Sequence, residues 1–120
     1  MRKMMIGPML LAGLLLSAAF SPAAIAQDAP QRIEITAKRF TYDPGEITLK
    51  KGQPVVLVLK SADVAHGLRI SELKVDVQLH ARGTQEVQIT PQKTGNFVGH
   101  CSVFCGPGHA NMALKVHVVN

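Results

Sequence analysis

Two cysteines, Cys101 and Cys105, one histidine, His109, and one methionine, Met112, fall within the twelve-residue run Cys101–Met112. The chain has no other cysteine. Thiolate and thioether sulfurs are soft donors, and beside an imidazole they favour copper over magnesium or calcium. The run sits between two strands read at Asn96–His100 and Ala113–Val119, and a loop of this length folds both thiolates to one side. A loop alone seldom encloses an ion, so a donor from elsewhere is wanted. His66, in Asp63-Val64-Ala65-His66-Gly67-Leu68, is the best candidate. It follows the apolar run Val55–Leu59, where a strand leaves the core at the same kind of domain end.

The rival chemistries fit less well. A structural zinc site usually shows Cys-x-x-Cys pairs and four closed N/S ligands; the spacing here is Cys-x3-Cys-x3-His, and methionine is a poor zinc ligand. A Cys101–Cys105 disulfide suits an exported protein but leaves His109 and Met112 without a role. A thioredoxin-like redox site wants Cys-x-x-Cys at a helix start. A blue-copper site uses two His, one Cys and a weak axial Met. The second cysteine shifts the expectation from one copper to two. Both sulfurs would bridge, His66 and His109 would be terminal ligands, and Met112 and a backbone carbonyl between the cysteines would be weak axial donors.

The elements that must position these donors read as strands. Ile33 and Ile35, Ile47 and Leu49, Val75 to Leu79, Val87 and Ile89, and Leu114 to Val118 alternate with polar neighbours. That period of two marks half-buried strands. Val55–Leu59 is a continuous apolar run, as in a strand covered on both faces. Asp43-Pro44-Gly45, Lys51-Gly52-Gln53-Pro54, Arg82-Gly83 and Lys93-Thr94-Gly95-Asn96 supply turns between the runs. Many short strands at near-regular spacing predict an all-β sandwich or barrel. His100 should face away from Cys101, because neighbours on a strand point to opposite faces. His80 and His117 fall on polar phases and are read as solvated. Phe97 and Phe104 are read as core and loop packing, with Phe104 able to shield the metal. Gly106 and Gly108 are read as letting the loop turn tightly.

The segment Cys-Ser-x-x-Cys-Gly-x-x-His-x-x-Met, with the upstream His-Gly-Leu, resembles the CuA domain of cytochrome c oxidase subunit II and nitrous-oxide reductase. Phe40–Ile47 resembles the early segment of these cupredoxins. The resemblance spans most of Arg32–Val119 and implies a cupredoxin-like Greek-key β-sandwich. It also implies a dinuclear copper centre held by His66, Cys101, the Val103 carbonyl, Cys105, His109 and Met112. The function it implies is one-electron transfer by a carrier that is not itself an enzyme. Three departures separate the chain from the oxidase subunit: Val103 replaces a usual Glu, there is no Trp, and the two transmembrane helices are missing. A copper carrier serving oxidase assembly is the alternative from a different class.

The N-terminus places the chain. Arg2 and Lys3 precede an apolar stretch from Met4 to Phe20, and Ala24-Ile25-Ala26 follows. This is the layout of a secretory signal peptide. The expected division is a signal peptide at 1–26 and a copper-binding domain at 27–120, exported to the periplasm. The domain would be soluble after cleavage and membrane-attached only if the segment is retained. The whole chain carries 13 Lys and Arg against 8 Asp and Glu; losing Arg2 and Lys3 leaves a mild +3. The basic residues are scattered with no basic stripe among aromatics, so nucleic acid is not an expected partner. The expected partner is a redox protein, such as a c-type cytochrome or a terminal oxidase or reductase, and the positive charge favours an acidic surface.

Overall fold

The computed structural model describes residues 29–120, together with Gly7, Gly13 and Ser17. The signal-peptide reading otherwise lies outside the described residues. Nine strands follow in chain order: β1 Gln31–Lys38, β2 Thr41–Asp43, β3 Glu46–Lys50, β4 Val55–Ser61, β5 His66–Ile70, β6 Val75–Leu79, β7 Thr84–Ile89, β8 Gly95–His100 and β9 Ala113–Val119. Short 3₁₀ turns lie at Ser71–Leu73 and His109–Asn111. No helix among the described residues is long and apolar enough to cross a membrane.

The strands form a four-stranded sheet in the order β2-β1-β4-β7 and a five-stranded sheet in the order β3-β9-β8-β5-β6. Two pairings are parallel. β1 runs beside β4 with Ile33 opposite Leu57 and Ile35 opposite Leu59. β3 runs beside β9 with Ile47 opposite Val116 and Leu49 opposite Val118. The expected alternation is present: Ile47 and Leu49 are buried while Glu46, Thr48 and Lys50 are exposed. Ile35, Leu57 and Leu59 from one sheet and Leu68, Ile70, Leu114 and Val116 from the other share a single core. Each such aliphatic side chain contributes about 1.5–3 kcal/mol on full burial.

Two strands were not legible as periodic runs. β2 has only three residues. β5 reads His-Gly-Leu-Arg-Ile and buries four of its five residues, so it does not alternate.

The register sets the function-bearing end of the sandwich. His66 opens β5 opposite Leu79, the last residue of β6. Arg69 of β5 lies opposite His100, the last residue of β8. The Ala62 N–H donates to the Ala37 carbonyl at 2.9 Å, and the Ser61 N–H to the Gly83 carbonyl at 2.9 Å. Four connections therefore gather at one end: Arg39–Phe40, Ala62–Ala65, His80–Gly83 and the loop Cys101–Met112.

Candidate metal centre

The long loop is closed at its base, where the Cys101 N–H donates to the Met112 carbonyl at 3.3 Å. Within it, the His109 N–H donates to the Gly106 carbonyl and the Asn111 N–H to the Gly108 carbonyl, both at 3.1 Å. These bonds build the turn that carries His109 back over the cysteines. Gly106 has φ +134°, a backbone state open to glycine. Gly108 is different: its φ is −90°. A Cβ there would lie 2.4 Å from the Phe40 ring, so Gly108 serves close packing rather than turning, and the tight-turn reading holds for Gly106 alone.

The six expected donors converge. The Cys101 and Cys105 sulfurs are free and 3.5 Å apart. On the Cys101 side, His66 Nδ1 lies at 3.9 Å and the Val103 carbonyl oxygen at 3.1 Å. On the Cys105 side, His109 Nδ1 lies at 3.7 Å and Met112 Sδ at 3.8 Å. Each sulfur thus has one imidazole and one weak donor of its own. His66 and Met112 are fully buried, and Cys101 and Cys105 nearly so. His66, Cys101 and Cys105 offer ligand atoms within 4.8 Å of one another, the one such group among the described residues. A tetrahedral ion with bonds of about 2.0–2.3 Å needs its donors roughly 3.3–3.8 Å apart. The Cys101–Cys105 and Cys105–His109 separations fall inside that range and Cys101–His66, at 3.9 Å, lies just beyond it; the soft donor set suits copper.

Two residues without a role in the sequence reading hold the site. Asp63 Oδ1 lies 2.6 Å from His66 Nε2. A carboxylate only accepts, so Nε2 carries the proton and Nδ1 faces Cys101 with a free lone pair. Asp63 also accepts from the Arg39 N–H at 2.9 Å and the Val64 N–H at 2.7 Å. Burial works to raise the Asp63 pKa, but the bonds from Arg39, His66 and Val64 outweigh it and lower it from 3.8 to about 2. The i, i+3 spacing of Asp63 and His66 was the available signal. Tyr42, the one tyrosine, is buried and donates its hydroxyl to the Gly67 carbonyl at 2.5 Å, fixing the backbone beside His66. Burial, with the charge of the nearby Cys101 adding to it, raises the Tyr42 pKa. Burial and the neighbouring Cys101 likewise push the Cys105 thiol up to about 11.

Other expectations resolve individually. His100 is exposed, facing away from the centre as read, and His80 is exposed in the turn after β6. His117 is not simply solvated: it is half-buried, with Nδ1 2.5 Å from Asn96 Oδ1 and Nε2 against the Glu46 carboxylate. It ties β8, β9 and β3 together. Phe97 packs against the core, but Phe104 does not. Phe104 is 77% exposed, because it points outward from the loop crest between the two inward-facing cysteines. Its ring lies against His109, with centroids 5.6 Å apart.

Comparison with known proteins places this geometry. The family model described as a cupredoxin-like domain matches residues 9–112. A probable cytochrome c oxidase subunit 2 from Streptomyces avermitilis is 35% identical over 81 residues, covering 67% of this chain and 25% of that protein. Cytochrome c oxidase subunit 2 from Thermus thermophilus is 29% identical over 91 residues, covering 74% of this chain and 67% of that protein. The chain therefore spans from a quarter to two thirds of the length of these relatives. Among solved structures, the periplasmic domain of subunit II of cytochrome oxidase (CoxB) from Bradyrhizobium japonicum superposes with a TM-score of 0.69 at 23% identity. That match covers 77% of this chain and 86% of that one. A heme-copper terminal oxidase dimer gives a TM-score of 0.68 at 27% identity, covering 78% and 68%.

Proposed function

The chain belongs to the cupredoxin-like domain family, and from that premise we propose that it is a copper-binding electron-transfer domain with a dinuclear, CuA-type centre. The single observation that carries the reading is the distribution of donors. The sulfurs of Cys101 and Cys105 lie together, and each is flanked by one imidazole and one weak donor, His66 with the Val103 carbonyl and His109 with Met112. The likeness to cytochrome c oxidase subunit 2 supports the same reading and does not favour the copper-carrier alternative.

When bound, copper supplies a one-electron couple. The chain does the rest. The Cys101 and Cys105 thiols give up their protons on loading, as thiolate ligands must. Asp63 holds the proton of His66 on Nε2 and so keeps Nδ1 available. Tyr42 holds the strand at Gly67. Buried Met112 and the Phe40 ring beneath the loop exclude water. Because the donors already stand at ligand spacing, little movement is needed when charge changes. Every donor at the site is one that would hold the metal, which supports a domain that carries electrons.

The division proposed with it is a signal peptide at 1–26, read from Arg2 and Lys3, the apolar stretch Met4 to Phe20 and Ala24-Ile25-Ala26, and a Greek-key sandwich at 27–120. On that reading the domain works in the periplasm and exchanges electrons with a c-type cytochrome or a terminal oxidase or reductase. Copper-loaded protein should hold two coppers per chain and show a delocalised EPR signal. One copper per chain with a blue-copper spectrum would refute the dinuclear assignment. Rapid handover of copper to an apo-acceptor without reduction of a redox partner would instead support a carrier.

A further inference from the structure

We propose that Gly67 is a positioning residue of the copper centre: its lack of a side chain lets the segment Ser102–Val103 seat directly on β5, and this seating sets how closely the Val103 carbonyl stands to the Cys101 sulfur. The proposal rests on the reading of that carbonyl as a weak donor and adds the residue that controls its distance.

The register makes the contact. Arg69 of β5 lies opposite His100, the last residue of β8. Carried on in the same antiparallel sense, Gly67 falls opposite Ser102, just past the end of β8. A Cβ at Gly67 would lie 2.2 Å from Ser102 Oγ and 3.1 Å from Val103 Cγ2. On the other side it would lie 3.1 Å from the Val77 carbonyl oxygen of β6. Gly67 sits inside a strand, so close approach, and not turning, is what excludes a side chain here.

Strand and loop differ in their freedom to yield. β5 is fixed from two directions: Gly67 pairs opposite Gln78 of β6, and its carbonyl accepts the Tyr42 hydroxyl at 2.5 Å. Its neighbour His66 is fully buried, with Asp63 at 2.6 Å. Ser102 has no such tie. Among the described residues its Oγ is the one enclosed side-chain N or O atom without a hydrogen-bond partner. Packing alone holds that hydroxyl, and a close-packed surround leaves it little room to rotate away. A side chain at position 67 is therefore accommodated by movement of the loop. The Cys101 N–H stays bonded to the Met112 carbonyl, which confines the movement to Ser102 and Val103. The donor affected is the Val103 carbonyl, 3.1 Å from Cys101 Sγ.

Weak axial donors tune the potential of copper–thiolate sites. A carbonyl oxygen presents the negative end of its dipole, which favours the more positive, oxidised centre. Its retreat raises the reduction potential while both thiolates and both imidazoles keep their places.

The test compares Gly67→Ala with the parent, metal-free and copper-loaded. In the metal-free protein, amide shifts should change at Ser102 and Val103 more than at His109–Met112. Loaded Gly67→Ala should bind as many coppers as the parent, with an upward shift in reduction potential and an altered EPR hyperfine pattern. Ser102→Ala deletes only the atom that the new methyl meets. Alone it should leave the parent potential unchanged, and combined with Gly67→Ala it should return most of the shift. Ser102→Val crowds the same contact from the loop with β5 untouched. It should also raise the potential, and it decides the question if Gly67→Ala does not fold. A folded Gly67→Ala with the parent potential overturns the proposal, even if stability falls, since that is the behaviour of a packing residue. So does a shift that Ser102→Ala fails to relieve, or a shift from Ser102→Ala alone, which would give the role to the hydroxyl. One copper per chain in the parent refutes the dinuclear reading instead; control of the Val103 carbonyl is then judged from the same variants at that single ion.

Discussion

Replacing Asp63 separates what holds His66 from what the metal itself contributes. In Asp63→Ala the fully buried His66 loses the acceptor 2.6 Å from Nε2. An unsatisfied buried donor costs about 1–3 kcal/mol. The Arg39 and Val64 N–H groups also lose their acceptor. They lie near solvent and can bond water, so each costs only about 0.5–1 kcal/mol. The metal-free protein should therefore lose about 2–5 kcal/mol, read from urea unfolding. The imidazole is then free to change tautomer and swing, and loss of such an outer partner lowers metal affinity roughly 10–100-fold. Asp63→Asn keeps an oxygen able to accept from His66 and Val64 but sets an NH₂ against the Arg39 N–H. It should lose stability yet hold copper within about threefold of the parent, well short of the alanine loss. Chelator competition for Cu(I) distinguishes the variants. If Asp63→Ala is folded and holds copper as tightly as the parent, or if Asp63→Asn loses as much as Asp63→Ala, then Asp63 does not position a ligand.

The remaining predictions concern acid, packing and the sheet. The Asp63 carboxyl titrates at about 2 in the folded chain against an ordinary value of 3.8. A depressed folded value adds stability above the unfolded one, and that stability drains as pH falls from about 4 to 2. Acid unfolding followed by circular dichroism should show this loss in the parent and not in Asp63→Ala. Phe40→Ala opens a gap beneath Gly106 and Gly108 and should cost on the order of 3 kcal/mol in urea unfolding. Gly108→Ala places a methyl 2.4 Å from that ring and should cost roughly 1–3 kcal/mol. The double variant should cost less than the two together, because the smaller side chain makes room for the methyl; strict additivity would show that the contact is absent. His117→Ala should cost about 1 kcal/mol through lost contacts to Asn96 and Glu46 and leave the copper spectrum unchanged.

Legibility followed sequence distance. Cys101, Cys105, His109 and Met112 lie on one loop, so their types and spacing carried the chemistry without a fold. His66 was reachable because the run Val55–Leu59 marks a strand ending at the same end of the domain. Asp63 was passed over although it stands three residues from His66, because only the turn at Ala62–Ala65 brings the two side chains together. Tyr42 acts across 25 positions on Gly67, a contact set by the packing of β2 over β5 rather than by any local pattern. Phe104 was misread as packing because aromatic residues are usually buried; the loop instead points both cysteines inward and leaves the residue before Cys105 outside. His117 was misread because its partners sit on two neighbouring strands, and a polar phase alone does not reveal which polar residues face one another.

The bond from the Cys101 N–H to the Met112 carbonyl has an evolutionary consequence. It makes the loop a cassette with a fixed socket. Whatever lies between those two positions can lengthen, shorten or exchange donors while β8 and β9 keep their register below it. Five of the six donors travel inside the cassette, and the sandwich supplies only His66, already aimed by Asp63. A chain built this way can acquire a different metal centre by rewriting a dozen residues, with the fold serving as an unchanged chassis.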